Sequence, residues 1–141
     1  RGRVDVRVLH AARLEADRLM IELRFPAPER RCPNLNDTDH WRTANTRKQL
    51  WQEAAFYAAM QAKVPTQGPS RLTVALPVTG RNRRDPHNFV LTVKYLVDGL
   101  VHARVLPDDS EEWLTTSDPV LVVGGTEVVV TLEPVVLDGA R

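Results

Sequence analysis

Apolar and polar positions alternate in two early stretches. Val4 to Leu9 reads V-D-V-R-V-L and Arg18 to Phe25 reads RLMIELRF, both with the two-residue period of a half-buried strand. His10 to Asp17 lies between them and suits a turn or a short helical piece. Pro26 to Asp39 (PAPERRCPNLNDTD) is too rich in proline and asparagine for a long element and predicts an ordered loop, with Thr38 or Asp39 as a helix cap. From His40 to Lys63 the apolar positions switch to helical spacing through Trp41, Ala44, Leu50, Trp51, Ala54, Ala55, Ala58 and Ala59. Val64 to Ser70 ends that helix with two prolines and a glycine.

Arg71 to Val78 (RLTVALPV) predicts a third strand, and Thr79 to Arg84 a basic loop. Asp85 then stands as an N-cap, with Pro86 at the first helical position, where its missing N–H costs nothing. The second helix runs to about His102 and buries Val93, Leu96, Val97, Leu100 and Val101. Arg104 to Ser117 predicts a loop. Val120 to Val123 and Thr126 to Leu132 predict two apolar strands joined in a hairpin at Gly124-Gly125. The tail after about residue 134 looks loose. The order β-β-α-β-α-β-β predicts an α+β fold: a mixed or antiparallel sheet packed against two main helices. Its 141 residues fit one domain, 1–141.

Charge changes this picture locally rather than globally. The formal net charge is only +1, so an anion-binding surface has to come from clustering. The lysines are Lys48, Lys63 and Lys94, and arginine supplies the rest of the positive charge. Arginine offers bidentate contacts to phosphate, although coding bias explains the same imbalance. The lone Cys32 excludes an internal disulfide and a multi-cysteine zinc site, and fits a reducing cytoplasm. With His40 it makes no complete nucleophile pair, and a buried thiol is expected. No apolar run approaches the roughly 18–20 residues of a membrane span, and no signal-peptide pattern opens the chain. The first residue is Arg1 rather than methionine, so upstream residues are expected.

The candidate chemistry gathers between Arg81 and Asp109. His87, Leu91, Lys94 and Asp98 share one helical face by spacing. Lys94 and Asp98 also read as an ordinary surface ion pair, contributing about 0.3–0.5 kcal/mol. Asp108-Asp109 reads either as a solvated turn or as a carboxylate source for a hard cation such as magnesium. Arg81, Arg83 and Arg84 form an exposed basic loop or a phosphate-binding patch beside Asp85. Trp41, Trp51 and Trp113 are expected to pack, with Trp41 placed to touch a substrate.

The stretch R-R-D-P-H-N, then K-x-x-x-D-G-L, then D-D-S resembles the RusA-like crossover-junction endodeoxyribonucleases, the Holliday-junction resolvases of phages and prophages. P-N-L-N-D-T-D-H-W resembles the same family's loop before its first long helix, so the likeness covers about Pro33 to Asp109. The resemblance implies a metal-dependent hydrolase of branched DNA that leaves a 5′-phosphate and acts as a homodimer in a bacterial or phage-infected cytoplasm. By position it makes Asp85 and Asp109 metal ligands with Asp108 as partner, and Lys94 the catalytic lysine. The implied metal is magnesium, with manganese as the alternative. Arg81, Arg83, Arg84, Arg42, Arg47 and Lys48 are the expected phosphate contacts. There are two departures. His87 replaces the family's second aspartate, as a ligand or an acid–base group, and the segment from Asn88 to Lys94 is longer by three residues. His87 also leaves open a second function, a junction-binding module that does not cut.

Overall fold

The computed structural model describes residues 4–10, 19–80 and 84–135. The strands are β1 (Asp5–His10), β2 (Leu19–Pro26), β3 (Ser70–Val78), β4 (Leu114–Thr116), β5 (Val120–Val123) and β6 (Glu127–Pro134). The helices are α1 (Trp41–Ala62) and α2 (Val90–His102), the latter preceded by a 3-10 turn at Pro86–Phe89. Arg81, Arg83, the whole segment between the first two strands (residues 11–18) and the tail from 136 lie outside the described residues.

The fold is α+β, with one mixed six-stranded sheet and two helices. The strands run in the order β1-β2-β6-β3, antiparallel throughout, and β4 and β5 both lie parallel to β3 along its remaining edge. Alternation decides which face is covered. Ile21, Leu23 and Phe25 of β2 pair across to Leu132, Val130 and Val128 of β6, and Leu132 and Val130 pair on to Leu72 and Val74 of β3. All of these are buried in one core with Trp51, Ala55, Ala58 and Ala59 of α1 and Val93, Leu96, Val97 and Leu100 of α2. Because the side-chain period of a strand is two, this stripe fixes the register of three strands together.

Three expectations change. Val120 to Leu132 is no hairpin: β5 pairs with Ala75–Val78 of β3, while β6 pairs with Ser70–Ala75 from the other side. The glycine pair instead carries the chain across the end of β3. Gly124 has φ +82 and donates its N–H to Val78 O at 3.0 Å. Second, the expected loop from Arg104 to Ser117 contains β4, whose Leu114 is buried. Third, His40 rather than Thr38 or Asp39 caps α1, its ring Nδ1 accepting from the Arg42 N–H at 3.2 Å. Asp39 is drawn instead to Arg47 Nη1 at 3.0 Å.

The two helices meet closely at Gly99. A Cβ there would stand 2.2 Å from Gln52 O and 2.9 Å from Ala55 Cβ. Mid-helix glycine costs roughly 1 kcal/mol relative to alanine, so its presence in α2 is explained by this close approach. Gly99→Ala is therefore expected to destabilise the chain by about 1–3 kcal/mol despite its better helix propensity, because the helices must separate. Urea unfolding checks this, and a midpoint equal to or above wild type would contradict the packing.

Candidate functional site: the amino-terminal end of α2 and the clefts around it

The loop from 27 to 40 is the scaffold of this region, and Arg47 is its centre. From the second turn of α1 its guanidinium donates to Glu29 Oε2 at 2.9 Å, Asp37 Oδ2 and Asp39 Oδ2 at 3.0 Å each, and the Arg31 carbonyl at 2.7 Å. Trp51 Nε1 donates to the same Glu29 oxygen at 2.7 Å, and Arg31 pairs with Asp37. Burial alone would lower the Arg47 pKa. The bonds to Glu29 and Asp39 outweigh it, so the group is held more firmly charged than usual. Arg47, expected at a DNA phosphate, is thus engaged inside the protein. Lys48 is half-buried beside it, and Arg42 stacks over the exposed Trp41 ring at 5.3 Å.

The ordered loop then grips α2. Thr92 Oγ1 donates to Pro33 O at 2.6 Å, and Leu35 N–H donates to Asn88 O at 2.8 Å. Cys32 is buried, its Sγ 3.4 Å from Pro77 O, and burial pushes its pKa up to about 11. It is a packing thiol with almost no thiolate at neutral pH.

Asp85 caps the 3-10 turn rather than α2 itself, whose N-cap position is Phe89, and its Oδ1 accepts the His87 N–H at 3.0 Å. The 3-10 turn changes the angular step per residue, so His87 is not in α-helical register with Lys94. Its Nδ1 instead donates to Asp118 Oδ1 at 3.2 Å. Lys94 Nζ lies 4.0 Å from Asp98 Oδ1, and Asp98 Oδ2 accepts from Gln52 Nε2 at 3.1 Å. Asp98 is thereby tied to α1 and serves helix packing. Asp108 Oδ1 accepts the Asp109 N–H at 2.7 Å, as a capping or orienting residue would.

A cleft of about 210 Å³ brings several of these residues together. Lys94 from α2, Asp109 from the following loop and Asp118 from the link between β4 and β5 line it, over Val93, Val97 and Leu114. Asp85 and Asp108 are not part of its lining. Sequence reasoning missed Asp118, which sits in a plain T-T-S-D-P link with no motif. The only signal for it is the proline that follows, and that marks a turn rather than a site.

The donors suit a hard divalent cation by type, since carboxylate oxygens dominate. By position they do not form a ready ligand set. Among the described residues no three His, Cys, Asp or Glu side chains group so as to hold a metal ion. Arg84 is half-buried beside Asp85 and lines a second concavity. No protein-family model matches the chain, and no curated protein matches its sequence.

The Arg47 network carries a pH signature. Burial would raise the Asp37 carboxyl, but hydrogen bonds from Arg31, the Asn34 N–H and Arg47 outweigh it and hold its pKa below the usual value of 3.8. A carboxyl depressed on folding adds stability above its unfolded pKa and loses it as pH falls through the folded one. Wild type should therefore be more stable than Asp37→Asn at pH 7, with the difference shrinking below about pH 4. Urea midpoints measured from pH 7 to 3 check this, and a difference independent of pH would contradict it.

Proposed function

We propose that the chain is a divalent-metal-dependent endonuclease acting on branched DNA of the four-way-junction type. The observation that carries the proposal is the shared cleft of Lys94 and Asp109, two residues of the resolvase-like pattern contributed by separate elements. Asp85, which caps the 3-10 turn leading into α2, supports it. Magnesium or manganese, held by Asp85 and Asp109 with Asp108 or His87 assisting, would polarise the phosphate and activate water. The side chains do the rest. Lys94 stabilises the negative charge that builds on the phosphoryl oxygens. Arg84, Arg42 and Lys48, together with Arg81 and Arg83, hold backbone phosphates. Water adds to phosphorus, the bond to the 3′ oxygen breaks, and 5′-phosphate and 3′-hydroxyl ends remain.

A junction has two-fold symmetry, and a homodimer supplies two equivalent sites for paired nicks. The apolar surface for such pairing is edge strand β5, whose Val120, Val122 and Val123 are 54%, 44% and 65% exposed. No helix among the described residues is long and apolar enough to cross a membrane. The proposed setting is a bacterial or phage-infected cytoplasm.

A second reading, a junction-binding module that does not cut, is favoured by one observation: the His87 ring is turned to Asp118, with Nδ1 3.2 Å from Oδ1. It requires junction binding that survives EDTA with no cleavage in any divalent metal.

Cleavage of a synthetic four-way junction decides between them. Wild type should cut with magnesium or manganese, and Asp85→Asn, Asp109→Asn and Lys94→Ala should each slow cutting by about a hundredfold or more. Cutting by both aspartate variants at the wild-type rate would show the site to be wrong.

A further inference from the structure

The carboxyl end of β3 is surrounded by a trough that the proposed cleft does not include. Two adjoining concavities, of about 330 and 430 Å³, share Arg30, Pro77 and Thr79. The first is walled by Arg31, Arg84 and Phe89, the second by Glu29 and the Gly124–Thr126 crossing. Arg30 stands at the junction of the two. It is exposed, and no ion pair to it is present among the described residues.

The charge on this lining is one-sided. It contains three arginines and a single acid, Glu29, which is already held by Arg47 and Trp51. Asp37, the partner of Arg31, is likewise bonded by Arg47 at 3.0 Å. The Arg47 network thus answers the nearby acids and leaves the Arg30 guanidinium facing solvent. Arg84, the chain neighbour of Asp85, lines the first concavity. Two adjoining concavities with a forked donor among their shared residues suit a linear polyanion with repeating phosphates.

We infer that this trough seats the sugar-phosphate backbone of a nucleic-acid strand running past Arg30 toward Asp85. The inference rests on the nuclease reading for the identity of the anion, and adds Arg30 and the path of the strand.

The test uses the full chain with 15N-labelled arginine, titrated in EDTA with single-stranded oligothymidylate. The Arg30 Nε–H resonance should shift saturably, and the shift should weaken steeply between about 50 and 200 mM salt. Arg24 and Arg71, paired with Glu22 and Glu133 on the sheet, should not move. Arg30→Gln should weaken binding and lower the salt slope by about one, with Arg30→Lys restoring most of the affinity. An unmoved Arg30 resonance, an unchanged affinity and slope in Arg30→Gln, or an equal shift with hexaglutamate would each overturn the inference. A chain that shows these shifts but cuts no junction keeps the trough and loses the nuclease. A chain that cuts junctions while Arg30→Gln binds like wild type keeps the nuclease and loses the trough.

Discussion

One guanidinium orders the region where the candidate chemistry lies. Arg47 is charged, 11% exposed at its side chain, and bonded to three carboxylates and a carbonyl from a single loop. A proline- and asparagine-rich segment has no ladder of its own to satisfy it. Its acids would repel one another if the cation were removed. Placed on α1, the cation turns that repulsion into a fixed loop conformation, and Trp51 closes the arrangement from the core side.

The effect passes from the loop to α2. Thr92 and Asn88 are held to Pro33 and Leu35, so the 3-10 turn bearing Asp85 and His87 is positioned partly by the loop. The other end of the same arrangement is set by the sheet. β4 lies along β3, and the link to β5 puts Asp118 opposite His87 and into the cleft with Lys94 and Asp109. Both contributions depend on the stripe through β2, β6 and β3, which supplies the rigid floor.

Much of the fold was legible because burial enforces periodicity. The alternation of Ile21, Leu23 and Phe25 and the helical spacing of Val93, Leu96, Val97 and Leu100 both describe faces that are buried. What stayed hidden depends on partners distant in sequence. A three-residue strand such as β4 has no period to read. A glycine pair between apolar runs serves a hairpin or a crossing equally, and only the free edge of β3 selects the crossing. Arg47 looks like a solvated helix residue until its acids are folded around it. That capture also takes Asp39 away from the cap position, which His40 fills. Asp85 was legible as a cap from the proline that follows it, and Lys94 and Asp109, singled out on the resemblance, do line one cleft. Asp118 was not legible, since its place in that cleft arises only from the fold.

The most direct test of this account is native-state hydrogen exchange on Arg47→Ala. Removing the guanidinium should cost the Leu35 amide, bonded to Asn88 O, most of its protection, while the amide of Val130 in the buried stripe stays protected. If Leu35 keeps its wild-type protection in the variant, Arg47 does not order the loop, and the positioning of the α2 amino-terminal end must come from elsewhere.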